Sequence, residues 1–355
     1  MKILHVINSA DTGGAQTLIE ALAVRHRNFG IQTEVVVLLG RDSLSDRLDL
    51  AADRVHYLDL KKSPIALMSA WRRFKQLIVS SRPNIVHSHL LQSDLLVALS
   101  RSRVPHVSTI HTSGGHESGA TSRLVTFLVS RVATRIDRLI ACSPSAAAFA
   151  RRRYRREVDL TVLNGTSLGA AGRDAPGKRP QLLCLSRWHP MKDHRSLLAA
   201  LSRMGESAPL LVCAGAGMTQ ENEELSSLLE EFKEVRVELR GPINNVREAL
   251  SQSSALVISS SHGEALPMAG IEALAAGIPV ITTDVGDSQL LAISPDLLVE
   301  PKDPLALAAA IRTTLEEDTD WFDAARALAE STFDIDTTAE HYYDIYRDMT
   351  GREDH

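Results

Sequence analysis

The chain has 355 residues, of which 44% are hydrophobic and 23% charged, and its formal net charge is −5. That composition excludes a disordered or collagen-like chain and leaves room for two domains, each with its own core. Only 4% of the residues are aromatic, and no stacking residues interleave with the basic ones, so nucleic acid is not expected as a partner. Short apolar runs alternate with amphipathic stretches, a pattern that predicts parallel sheets wrapped by helices. In the first half the predicted strands are Ile3–Ile7, Glu34–Leu39, Val55–Leu58, Ile85–Ser88, His106–Ile110, Leu139–Cys142 and Leu160–Leu163. The Gly-, Ala- and Pro-rich stretch from Gly165 to Pro180 reads as an interdomain linker. Strands resume at Leu182–Leu185, Leu210–Ala214, Val235–Leu239, Ala255–Ser259, Val280–Thr282 and Leu297–Glu300. Two doubly wound α/β domains are predicted, residues 1–170 and 171–332, and residues 333–355 follow as an amphipathic helix carrying Tyr342, Tyr343, Ile345 and Tyr346.

Cys142, Cys184 and Cys213 sit in apolar runs without pair or metal spacing and are expected to be small buried hydrophobes in a reducing compartment. Met1–Ile7 holds one lysine and a five-residue apolar run, shorter than a signal-peptide core, and no later run reaches the length of a membrane span. A cytoplasmic protein is the expectation. Residues 1–170 carry 23 Lys and Arg against 13 Asp and Glu, a net of +10, while the remainder carries −15. The basic half is expected to meet something anionic, either a phosphate-bearing acceptor or the inner face of an anionic membrane in peripheral contact. The run Arg151, Arg152, Arg153, Arg155 and Arg156 supplies much of that excess and also fits a solvated helix end.

Doubly wound sheets bind ligands beyond the carboxyl ends of their strands, and the informative residues fall there. After the first strand come Gly13 and Gly14, where backbone can approach a ligand and helix amides are left over for an anion. The spacing differs from the G-x-G-x-x-G of dinucleotide enzymes, which disfavours a nicotinamide cofactor. His111 follows the strand ending at Ile110 and is a candidate site residue on a polar loop. His87 and His89 flank another strand end, and His87, alternating with apolar neighbours, reads as structural. In the second half, Arg187 and Lys192 share one strand-to-helix loop, where two cations can neutralise a diphosphate. Gly215 closes the next strand, and Arg240 with Gly241 the one after, a place for a base to lie against main chain.

The most informative stretch is Ser-His-Gly-Glu-Ala-Leu-Pro-Met-Ala-Gly-Ile-Glu, in which Glu264 and Glu272 lie eight positions apart. A helix is predicted over Pro267–Ala276 with Pro267 in its first turn. The amides around Leu266, Pro267 and Met268 then suit a phosphate, and Glu272 inside the helix suits vicinal hydroxyls. Two surface glutamates favoured by the helix dipole would explain that spacing alone. The convergence of four loops on one anionic ligand favours the functional reading.

Together these residues resemble the retaining glycosyltransferases of family 4, and the resemblance spans nearly the whole chain. Glu272-Ala273-Leu274-Ala275-Ala276-Gly277-Ile278-Pro279-Val280-Ile281-Thr282-Thr283 is similar to the family's signature after its Glu-x7-Glu stretch. The resemblance implies the GT-B fold, two Rossmann-like domains facing across a cleft, with the C-terminal helix crossing back to the first. It implies that Gly13 and Gly14 form the family's glycine loop and that Arg187 and Lys192 bind the diphosphate. In the same way His111 would line the sugar site, Glu272 hold the ribose and Glu264 the donor sugar. Val162-Leu163-Asn164-Gly165 resembles the family's Pro-Asn-Gly hinge, with Leu163 where proline is common. The sequence departs from the family's Glu-Gly-Phe-Pro at Glu264-Ala265-Leu266-Pro267, where a β-carbon at 265 disfavours positive φ.

The implied activity is transfer of a sugar with retention from a nucleoside diphosphate sugar, a UDP-sugar favoured, to a glycan, lipid-linked or small-molecule acceptor. No cofactor and no metal are expected, because Arg187 and Lys192 supply the positive charge and Asp284 and Asp287 are not spaced as the Asp-x-Asp of metal-dependent transferases. Two other classes stay open: a catalytically silent GT-B subunit that binds a partner, and a nucleotide-sugar epimerase.

Overall fold

The computed structural model describes residues 1–11, 13–61, 63–114, 120–169, 180–316 and 321–351. Residues 170–179 of the expected linker lie outside the described residues. The chain divides into two compact units, Met1–Gly165 with Ile335–His355, and Thr166–Asp334.

In the first unit β1 (Lys2–Ile7), β2 (Gln32–Val37), β3 (Arg54–Tyr57), β4 (Ile85–His89), β5 (His106–Ile110), β6 (Arg138–Ala141) and β7 (Leu160–Thr161) form one sheet. Its order is β3-β2-β1-β4-β5-β6-β7, and every pairing is parallel. Successive residues of a strand point to opposite faces, and here both faces are covered. Ile3, Ile85 and Val107 pack with Leu18, Leu22, Tyr342 and Tyr346, while Leu4, Val6 and Val86 pack with Phe74, Ile78 and Val97. The helix Ile335–Thr350 therefore completes the core of the first unit, with Tyr342 and Tyr346 fully buried. Helix starts follow local chemistry: Ser143 accepts from the Ala146 N–H, and Pro144 occupies the first turn of Pro144–Tyr154.

The second unit repeats the plan. The strands β8 (Gln181–Leu185), β9 (Leu210–Ala214), β10 (Val237–Gly241), β11 (Ala255–Ile258), β12 (Val280–Thr283) and β13 (Leu298–Val299) are ordered β10-β9-β8-β11-β12-β13, again all parallel. In both sheets the order reverses once, between β1 and β4 and between β8 and β11. Connections leave in opposite directions there, so the strand carboxyl ends open into a crevice suited to a ligand.

Several strand bounds shift by one or two residues, as in β2, β7 and β13, and three differences have a clear cause or consequence. β10 begins at Val237 rather than Val235, because the Val235 N–H closes the preceding turn on the Phe232 carbonyl (2.9 Å). The division into units falls after Gly165 and Asp334, rather than after 170 and 332. The Thr166 N–H donates to the Phe333 carbonyl (2.9 Å) and Thr166 bridges to Asp334 in parallel, so both crossing segments belong to the second unit. Pro267 is the N-cap of the helix Met268–Ala275 instead of part of its first turn. The three cysteines are buried and none forms a disulfide. Among the described residues, no helix is long and apolar enough to cross a membrane.

Candidate active site

In the second unit the loops at the switch point are stitched together. The turn Pro190–Lys192 after β8 packs against the end of β11: the Ser261 N–H donates to the Met191 carbonyl (2.7 Å) and Ser259 Oγ to the Lys192 carbonyl (2.8 Å). This brings Lys192 Nζ to Glu264 Oε1 at 2.5 Å, and Ser260 Oγ donates to the same oxygen at 2.5 Å. Glu264 is buried, with only 8% of its surface exposed. Its ammonium partner supplies the charge compensation that a buried carboxylate requires. Arg187 is exposed in the same loop, and no ion pair is recorded for it among the described residues. His189 lies between these cations: burial first, then Arg187, His262 and Lys192, hold its pKa below the ordinary value.

Gly215 has φ +137° and its absent Cβ would stand 2.2 Å from the Ser186 carbonyl oxygen, so only glycine lets the β9 end lie against the Arg187 loop. The Gly215 N–H donates to the Gly241 carbonyl (2.8 Å), joining the third loop to the other two. The Arg240 guanidinium is tied to Glu238 of its own strand (2.7 Å). Leu266 is buried, Pro267 caps, and Met268 opens a helix with no side-chain cap and no acidic residue in its first turn, leaving that end suited to an anion. Glu272 lies one turn further on the same helix and is half-buried. Positive φ in this stretch falls at Gly263 (+80°), and Ala265 is absent from the positive-φ residues, so the strain expected at 265 does not arise.

In the first unit Gly13 is the N-cap of the helix Gly14–His26, in extended conformation at φ −168°. Its lack of a Cβ leaves room for Gln16, whose Oε1 would otherwise lie 2.7 Å from it. His111, just beyond β5, is partly exposed, and its Nε2 lies 2.9 Å from His89 Nδ1.

Ser260, Gly286 and His5 escape the sequence reading, which places His89 only at a strand end. Ser260 anchors Glu264. Gly286 (φ +65°) has its absent Cβ 2.2 Å from the Glu264 carbonyl oxygen, so it lets the β12 loop press on the Glu264 backbone. His5 and His89 line up behind His111. The signal was parity: His5, His87, His89 and His111 share one face of β1, β4 and β5. His5, His87 and His89 bring ligating atoms within 4.8 Å of one another. Five of their six nitrogens are engaged, His87 with Tyr346 and Thr109, His5 Nδ1 with His89 Nε2 and His89 Nδ1 with His111, while His5 Nε2 has no partner among the described residues. The chain also contains two Asp-x-Asp triplets, Asp318-Thr319-Asp320, which lies outside the described residues, and Asp334-Ile335-Asp336 at the start of the last helix, where Asp336 pairs with Arg25.

Two doubly wound parallel sheets, one of them carrying an anion-suited helix mouth beside a lysine and a buried glutamate, define a nucleotide-binding α/β protein of the GT-B kind. The sequence profile described as glycosyl transferases group 1 matches residues 179–317, and that of the glycosyl transferase 4-like domain matches residues 13–165. The chain belongs to this family of GT4-type glycosyltransferases, which act with nucleotide-sugar donors. It is 30% identical over 309 residues to a glycogen synthase of Mycobacterium tuberculosis, covering 79% of this chain and 73% of that protein. It is 26% identical over 331 residues to a D-inositol 3-phosphate glycosyltransferase of Catenulispora acidiphila, covering 80% and 77%. Among solved structures, HepE of Anabaena in complex with UDP-glucose superposes with a TM-score of 0.84 at 18% identity, over 98% of this chain and 100% of that one.

Proposed function

We propose that this chain is a retaining, metal-independent hexosyltransferase that moves a sugar from a UDP-sugar to a hydroxyl of a glycan, lipid-linked or small-molecule acceptor. The observation that carries the reading is the Lys192–Glu264 ion pair beside the uncapped mouth of the helix Met268–Ala275. One cation there reaches both a phosphate at the helix end and the carboxylate that would hold the sugar. Departure of the nucleoside diphosphate is the costly event. Arg187, Lys192 and the amides near Met268 stabilise charge growing on the β-phosphate, a fixed electrostatic role of the kind that dominates such catalysis. Two side-chain cations cover that charge without a metal. Glu272 accepts hydrogen bonds from the ribose hydroxyls, Gly215, Arg240 and Gly241 border the base, and Gly13 and Gly14 leave backbone amides for the donor. Glu264 orients the transferred sugar, and His111 hydrogen-bonds it.

No side chain is assigned as a covalent nucleophile, so the acceptor attacks on the face the phosphate leaves, and the leaving phosphate takes the acceptor proton. The complexes of HepE with UDP-glucose and of TarM of Staphylococcus aureus with UDP support UDP as the nucleotide. The basic first half supports an anionic or membrane-borne acceptor, met at the inner membrane face.

The test is thermal unfolding of the wild type and Glu272→Ala with UDP, GDP, ADP, TDP and NAD. A ligand that binds only the folded state raises the midpoint by mass action, with about 2.7 kcal/mol gained at a hundredfold excess over Kd. The expected result is a shift with UDP that shrinks in Glu272→Ala. A shift with another nucleotide alone overturns the UDP assignment, and no shift with any overturns the transferase reading.

A further inference from the structure

Behind His111 runs a line of buried imidazoles that sugar transfer as described does not use. His5 Nδ1 lies 2.9 Å from His89 Nε2, and His89 Nδ1 lies 2.9 Å from His111 Nε2. Among the described residues, the two outer nitrogens, His5 Nε2 and His111 Nδ1, are buried without a hydrogen-bond partner. The ends differ in setting. His5 is 0% exposed, whereas His111 is partly exposed and lines a pocket with Leu90, Gln92 and Thr112.

A neutral imidazole has one N–H and one lone pair, so each contact in the line needs a donor facing an acceptor. Only two arrangements satisfy both contacts. In the first, His5 Nδ1–H donates to His89 Nε2, His89 Nδ1–H donates to His111 Nε2, and His111 is left with the unpaired Nδ1–H. The bare lone pair then falls on His5 Nε2. In the second, every N–H is reversed, and an unpaired N–H is stranded on His5 in the core. Each arrangement thus leaves one unpaired N–H, and the ends differ in what can satisfy it: His5 is wholly enclosed, whereas His111 is partly exposed beside a pocket where water or a bound oxygen can accept, so the first arrangement wins. Burial keeps the rings neutral: it holds His5 and His89 well below the ordinary histidine pKa and brings His111 to about 4. His87 does not compete, since its nitrogens face Tyr346 Oη (2.6 Å) and Thr109 Oγ1 (2.8 Å).

We infer that His5 and His89 are positioning residues that hold His111 in its Nδ1–H tautomer, so that His111 meets the transferred group as a hydrogen-bond donor and selects an oxygen bearing a lone pair. A hydroxyl or carbonyl oxygen fits there and an ammonium group does not. His111 accepts no proton in this state, because its Nε2 lone pair is committed to His89. The consequence for substrate rests on the reading of His111 as a sugar-site residue, but the tautomer belongs to the protein alone.

The experiment is long-range proton–nitrogen correlation of the imidazoles in histidine-labelled full-length protein without ligand, the His111 signals being assigned by their loss in His111→Asn. The expected wild-type spectrum shows His111 protonated at Nδ1. In His89→Phe, which cannot donate, His111 is expected to revert to the Nε2–H tautomer common in water. In His89→Gln, whose amide accepts from His5 and donates to His111, the Nδ1–H form is expected to return. An Nε2–H tautomer in the wild type overturns the inference whether or not the variants fold, as does an unchanged tautomer in folded His89→Phe. If transfer is then assayed, KM for the donor is expected to rise on the order of tenfold in His89→Phe, the loss of about one hydrogen bond, and to recover in His89→Gln.

Discussion

Lys192 and Glu264, 72 positions apart, meet at 2.5 Å because a short turn after β8 is hydrogen-bonded to the end of β11 across the point where the sheet order reverses. The pair couples the phosphate end of the proposed donor to its sugar end. Lys192→Met and Glu264→Gln are each expected to lower kcat for transfer by about 100- to 1000-fold, the range for losing one preorganised charge-stabilising group. The double variant is expected to lose little more than the worse single one, because the groups act as a unit. A steady-state double-mutant cycle checks this, and full additivity would show that the residues work separately.

Gly286 sets the position of that carboxylate from behind. Its φ of +65° and the 2.2 Å approach of its absent Cβ to the Glu264 carbonyl oxygen leave a side chain at 286 no room without moving the Glu264 backbone. Gly286→Ala is expected to destabilise by about 1–3 kcal/mol and to lower kcat as well. Gly277→Ala is the control: φ is +76° and the clash is with Phe322 at 2.3 Å. It is expected to cost similar stability and leave kcat and KM near wild type below its unfolding midpoint. Equal kinetic losses in both variants would show that Gly286 matters only for folding.

Much of this architecture is legible before folding. Apolar runs such as His106–Ile110 and Leu210–Ala214 are strands with the predicted bounds, because fully covered parallel strands read as continuous apolar segments. The loops holding Arg187, Lys192 and Glu264 are legible for the same reason, since residues just beyond such runs fall at strand carboxyl ends. The ion pair is not legible, because it depends on β8 and β11 being neighbours, which strand order decides. The histidine line is harder still: three strands must align so that His5, His89 and His111 meet, and one strand's alternation marks His87 only as buried. Nor does Val285-Gly286, between Asp284 and Asp287, announce which backbone it touches.

Tyr346 ties the last helix to the same polar layer. Its hydroxyl lies 2.6 Å from His87 Nδ1, and both residues are 0% exposed. Tyr346→Phe keeps the ring and its packing and strands the His87 nitrogen, so the cost is that of an unsatisfied buried polar group, about 1–3 kcal/mol. Urea unfolding checks it, with an unchanged slope expected alongside the lower midpoint. A neutral result would show that the hydroxyl is not what His87 relies on.

Six histidines of the first unit, five of them buried and His111 partly exposed, make its stability depend on pH in one direction. His5, His87 and His89 are held well below the ordinary value of 6.5, His111 at about 4, and His26 and His106 at about 3, each first because burial penalises the charged ring. The unfolded chain binds these protons first, so stability is fully present above pH 6.5 and is lost as pH falls from there toward the folded values. Asp94 opposes them. Burial raises its pKa from 3.8 to about 6, so between those values the folded state holds the extra proton and gains stability on acidification. One carboxyl cannot offset six imidazoles, each contributing about 1.4 kcal/mol per pH unit. The net effect of acidification below pH 6.5 is therefore a loss of stability. Urea midpoints are expected to hold steady from pH 8 to 7 and to fall steeply between 6.5 and 5, and His106→Gln, which removes one titrating group, is expected to make that fall shallower. A midpoint flat across this range would mean that the imidazoles are already charged in the folded protein.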